Sequence, residues 1–179
     1  PGAVSIGGTG ALGSSGDRFG CGGFFEILAD GPVTVSAPIE FKGGACDGGD
    51  VGIGTLGEIT INPSGTINAR ATFPFGSGGS TTLTAIGNVL VNGPIVEAGQ
   101  GALDEGGGDG GDLDIIGEDV TVNALMDLQA GGPDGSGGFV DITAFDDLTL
   151  NADFIVTGAA QGIGLAVAHG FAAHGAQVA

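Results

Sequence analysis

Apolar and polar residues alternate along this chain in short bursts, and one burst returns five times. It reads Val33-Thr34-Val35-Ser36, Ile59-Thr60-Ile61-Asn62, Val89-Leu90-Val91-Asn92, Val120-Thr121-Val122-Asn123 and Leu148-Thr149-Leu150-Asn151. Counted between their last residues, successive copies stand 26, 30, 31 and 28 positions apart. A period of two places alternate side chains on opposite faces of a strand. Return at this longer interval is the mark of a stacked solenoid, in which each repeat buries its apolar face only against its neighbours.

Two more strand-like pieces accompany the phrase in every unit. One precedes it: Phe25-Glu26-Ile27, Val51-Gly52-Ile53, Thr81-Thr82-Leu83, Leu113-Asp114-Ile115 and Val140-Asp141-Ile142. The other follows it: Ile39-Glu40-Phe41, Thr66-Ile67-Asn68, Ile95-Val96-Glu97, Met126-Asp127-Leu128 and Phe154-Ile155-Val156. Three pieces per unit predict an all-β fold, a right-handed parallel β-helix of roughly triangular section with five to six rungs of 26–31 residues. The rungs occupy residues 1–157, because Ala3-Val4-Ser5-Ile6 already reads as a strand; residues 158–179 are read as a continuation of the solenoid. Neither end of the pattern shows a polar cap, which predicts a segment of a longer protein or a subunit whose ends stack on neighbours.

Glycine gathers between the third piece of one unit and the first of the next, at 43–49, 76–79, 99–111 and 131–138. Its tolerance of positive φ lets such a corner turn sharply or bulge outward, and the changing loop length explains the changing repeat. The recurring asparagine falls at another corner. Asn62, Asn92, Asn123 and Asn151 are expected to form a side-chain amide ladder from rung to rung, ending where Ser36 replaces the amide; a turn-forming Asn without a ladder is the alternative. Cys21 and Cys46, 25 residues apart, sit in Gly-rich turns on what stacking makes adjacent rungs. They are read as a disulfide, with two free buried thiols as the alternative.

Charge narrows the function classes. Arg18, Lys42 and Arg70 oppose 21 acids, for a formal net charge of −18. Nucleic acid demands Lys and Arg to displace counterions, so it is excluded as a partner, and an anionic membrane surface would be repelled. No apolar run approaches the roughly 20 residues of a membrane span, so membrane insertion is not expected. In the acidic loops, Gly107-Gly108-Asp109-Gly110-Gly111-Asp112 matches the opening of the calcium-binding nonapeptide of parallel β-rolls, but Asp114 then takes the apolar position and the motif does not recur. Asp104, Glu105, Asp109 and Asp112 are therefore the candidate ligands of a single Ca²⁺, against a solvated loop. Polysaccharide-active β-helices combine carboxylates with bases and aromatic platforms; this chain has no Trp and no Tyr, and glycoside hydrolysis is poorly supported.

The tail carries a different signature. The stretch from Phe154 to Gly164 contains Thr157-Gly158-Ala159-Ala160-Gln161-Gly162-Ile163-Gly164, which resembles the cofactor-binding opening of short-chain dehydrogenases. The resemblance implies that Gly158, Gly162 and Gly164 would let a dinucleotide pyrophosphate approach a helix N-terminus. It covers about the last 26 residues, and the family's catalytic Tyr and Lys are missing, so an intact dehydrogenase is excluded while a fused fragment is not. The competing reading makes Phe154 to Thr157 a solenoid strand and Leu165-Ala166-Val167 the start of a further rung.

Taken together, residues 1–157 resemble the β-solenoid shafts of filamentous-haemagglutinin-like adhesins and other secreted bacterial surface fibres, through phrases such as Gly57-Glu58-Ile59-Thr60-Ile61-Asn62-Pro63-Ser64-Gly65-Thr66-Ile67. The resemblance implies an extracellular or cell-surface structural role, not an enzyme, with self-association into a filament and contact with other surface or matrix components. A Ca²⁺- or polysaccharide-binding module is the alternative from another class, and no other cofactor is expected.

Overall fold

A computed structural model describes residues 2–101, 106–132 and 134–156. Its regular elements are all strands, and no helix occurs among the described residues. The recurring phrase builds face 1: β1 (Val4–Ile6), β4 (Val33–Val35), β7 (Ile59–Ile61), β10 (Val89–Val91), β13 (Val120–Val122) and β16 (Leu148–Leu150). Face 2 holds β2 (Leu12–Ser15), β5 (Ile39–Lys42), β8 (Ile67–Asn68), β11 (Ile95–Val96), β14 (Met126–Asp127) and β17 (Phe154–Ile155). Face 3 holds β3 (Phe24–Ala29), β6 (Asp50–Thr55), β9 (Ser80–Ala85), β12 (Asp112–Gly117) and β15 (Phe139–Ala144).

The chain visits the faces in the order 1, 2, 3 and then climbs, so every neighbouring pair is parallel and two strands intervene between partners. Rung one is β1–β3 and rung five β13–β15, with β16 and β17 starting a sixth turn. The fold is an all-β solenoid of about five turns. Register is strict. On face 1, Val4, Val33, Ile59, Val89, Val120 and Leu148 stand directly above one another. On face 3 the same holds for Phe25, Val51, Thr81, Leu113 and Val140.

Val, Ile and Thr dominate because a β-branched side chain fits a pleated, half-buried surface. Valines and isoleucines at the inward positions of rungs two to four are buried, while the residue between them, such as Thr34, Thr60 or Leu90, turns outward. Each strand is thus too short to stand alone and is held by inward side chains packed above and below it, each contributing about 1.5–3 kcal/mol on burial. Proline marks the corners: Pro38 and Pro94 directly precede β5 and β11, and their carbonyls accept from Leu12 N–H at 2.8 Å and Ile67 N–H at 3.0 Å.

One register differs from the sequence expectation. The third piece of rung three begins at Ile67, which lies beside Ile39 and Ile95, and not at Thr66. Four residues separate Asn62 from Ile67, where rungs two, four and five have two, and the extra pair is absorbed in a turn closed by Gly65 N–H to Asn62 O at 2.8 Å. Pro63 occupies the second position of that turn, which its fixed φ favours.

Candidate functional site

Stacking brings polar side chains of successive rungs into columns at all three corners of the rod. Between faces 1 and 2, Asn123 Nδ2 donates to Asn92 Oδ1 at 2.8 Å and Asn151 Nδ2 donates to Asn123 Oδ1 at 2.9 Å. Asn62 Nδ2 donates instead to Ser36 Oγ at 2.7 Å. Two differences from the sequence expectation follow. Ser36 continues the column rather than ending it, since a hydroxyl accepts as well as an amide oxygen does. The column is broken between Asn62 and Asn92, where no side-chain bond joins the two among the described residues, at the corner widened by the Pro63–Gly65 turn.

The other two corners carry columns built on a different donor, the backbone N–H of the next rung. Between faces 3 and 1, Asn88 Oδ1 accepts from Asp119 N–H and Asp119 Oδ1 from Asp147 N–H, both at 3.2 Å. Between faces 2 and 3, Asp47 Oδ1 accepts from Ser77 N–H at 3.2 Å, Ser77 Oγ from Asp109 N–H at 3.3 Å, and Asp109 Oδ1 from Ser136 N–H at 2.7 Å. Each side chain satisfies an amide that the corner would otherwise leave unpaired, and carboxylate acceptors are the stronger ones.

Every member of that last column is followed by two glycines: Gly48-Gly49, Gly78-Gly79, Gly110-Gly111 and Gly137-Gly138. In each rung the second glycine donates its N–H back to face 2, Gly79 to Ala69 O at 2.7 Å and Gly111 to Glu97 O at 2.7 Å. A Cβ on Gly49, Gly79, Gly111 or Gly138 would collide with the carbonyl oxygen of the equivalent glycine one rung below. Positive φ is not the reason for glycine here, because in the loops between faces 2 and 3 it is Phe75, Gly106 and Gly132 that adopt it. Close approach of backbone to backbone is the reason. The four-fold Gly-Gly, with its Asp or Ser in front, was the sequence signal for this column.

The Cys21 and Cys46 sulfurs are bonded, with Cα atoms 4.6 Å apart. The disulfide ties the loops of rungs one and two where Gly44 N–H also meets Gly20 O at 2.7 Å and Ala45 N–H meets Arg18 O at 2.9 Å. Of the candidate calcium ligands, Asp104 and Glu105 lie outside the described residues. Asp109 uses its carboxylate on Ser136, and Asp112 is an exposed residue opening β12. No cluster of three or more metal-ligating side chains occurs among the described residues. Gly158, Gly162 and Gly164 also lie outside them; Phe154 and Ile155, at the head of the dehydrogenase-like stretch, pair with Met126 and Asp127 as an ordinary solenoid strand.

Two acids stand apart electrostatically. Asp114 and Asp141 face outward in register on face 3, and partial burial first, then the neighbouring carboxylate, raises the pKa of Asp114. Glu97 is the stronger anomaly. It takes an inward position on face 2, in a column with Phe41, Ala69 and Leu128, and is 0% exposed. Neither carboxyl oxygen has a hydrogen-bond partner, and neither does the buried hydroxyl of Thr81. Burial, then the carboxylates of Asp112 and Asp50, drives its pKa well above the ordinary value; nearby Thr81 opposes this without forming a well-directed bond. Its column position, apolar in Phe41 and Leu128, was the signal that could have found it.

Comparison with protein-family models, with curated proteins and with solved structures returns no match.

Proposed function

We propose that this chain is a structural segment of an extracellular fibre or adhesin, non-catalytic, that extends by end-to-end β-stacking. The observation that carries the reading is the uninterrupted parallel register, in which each rung is a template for the next. Strands β1 to β3 expose one row of backbone groups, and the inward residues Val4, Ile6 and Leu12 of that rung are only partly covered. A strand edge of this kind pairs with another chain. The Cys21–Cys46 disulfide supports an oxidising, extracellular setting.

Negative-stain electron microscopy of the purified chain tests the reading. Filaments of uniform width, growing with protein concentration, are the expected result; dispersed monomers at millimolar concentration would overturn it. A Ca²⁺-binding role through the acidic loops predicts a melting temperature that drops on adding EDTA, whereas the fibre reading predicts none.

A further inference from the structure

The interior of the rod from rung two to rung four is apolar but for Thr55, whose hydroxyl donates to Gly31 O at 2.6 Å, and one place where buried polar groups are left unpaired. Glu97 and Thr81 lie inside it with three oxygens unsatisfied, in a solenoid whose surface offers ample room for charge. Ala69, directly below Glu97, is the smallest member of that column, and Thr81 takes a position that is Val51 below it and Leu113 above. The polar pair therefore bridges rungs three and four at the face 2–face 3 side. We propose that Glu97 is a proton-operated latch: protonated, it lets rungs three and four close on each other, and ionised, it forces them apart.

Among the described residues the surroundings supply no countercharge. From face 3 come Asp50 and Asp112, both acidic, and the neutral Thr81. From face 1 the inward residues are Ile59, Ile61, Val89 and Val91. On face 2, Lys42 is paired with Glu40 at 3.0 Å and Arg70 is exposed, so no base reaches the carboxyl. An isolated carboxylate in such a setting is costly, and the site keeps its proton instead. The sign is fixed by linkage. The folded form holds the proton to higher pH than the unfolded chain, whose glutamates titrate near about 4.3. The stabilising contribution is thus full below that value and is lost by the time pH has risen through the folded-state value. Within that window the folding equilibrium weakens by up to about tenfold per pH unit. The consequence is a rod whose middle is tightest in acid and loosens toward neutral pH, independent of whether the chain forms fibres.

The test is equilibrium unfolding of the full chain in urea from pH 4 to pH 8, wild type against Glu97→Gln. Glutamine keeps the shape but cannot ionise, so every other acid cancels in the comparison. Expected is a ratio of wild-type to variant folding constants that falls steadily as pH rises; a ratio flat across the range overturns the proposal. Should the variant fail to fold, carbon-13 carboxyl NMR of the wild type decides. A Glu97 midpoint well above the ordinary glutamate value supports the latch, and an ordinary midpoint overturns it.

Discussion

At the scale of single residues, stability is governed by how closely one rung lies on the next. Gly79 illustrates it: a methyl group there would occupy the place of Gly49 O, and backbone cannot yield as a side chain tip can. Gly79→Ala is expected to cost about 1–3 kcal/mol or more through overpacking. Gly52 is the control, since a Cβ there meets Glu26 Cγ at 3.7 Å and Phe25 O at 3.9 Å, both ordinary van der Waals contacts. Gly52→Ala should be neutral or stabilising by about 0.4–1 kcal/mol, because it narrows the unfolded ensemble. Urea denaturation of the two variants checks the contrast; equal effects would mean that glycine serves flexibility here and not contact. The recurring asparagines were legible as a ladder from their shared phase. The break after Asn62 was not, because it depends on where two extra residues are accommodated.

At the scale of elements, the strands of the five repeats and their register were legible because alternation and β-branching act locally. By contrast, β2 (Leu12–Ser15), which lacks that alternation, was missed, and the face 3 strands run two residues further than the pattern marked. Pieces of two or three residues such as Ile95–Val96 would not hold as strands alone; they are recognisable only through repetition. The loops were read less well. Their glycines suggested permissive turns, yet Gly48-Gly49 and its equivalents are packed, hydrogen-bonded corners whose acids bind backbone amides. The disulfide belongs to this scale, since it joins two loops that stacking has already aligned. Replacing both cysteines by serine should lower stability by roughly 3 kcal/mol for a loop of this size in the chain-entropy model. Hydrogen exchange should then quicken in residues 16–49 and stay unchanged in rungs four and five; uniform acceleration would show the rod to unfold as a single unit.

At the scale of the whole molecule, a net charge of −18 is carried on a narrow rod on which acids of neighbouring rungs can lie in register, as Asp114 and Asp141 do. Repulsion along such columns opposes compaction, and salt screens it over a Debye length of about 8 Å at physiological strength. The melting temperature is expected to rise as sodium chloride is raised from low to moderate concentration; a fall would mean that attractive pairs such as Lys42–Glu40 outweigh the repulsion. By itself, the sequence determined the architecture: period two set the strands, the longer period set the rungs, and only parallel stacking satisfies both. The tertiary structure alone decided which polar residues meet. Asp109 became an acceptor for the backbone N–H of Ser136, and Glu97 turned inward where its charge has no partner. The physical reason is that a local pattern fixes which face of a strand a side chain takes, while its partners lie a full turn away along the chain.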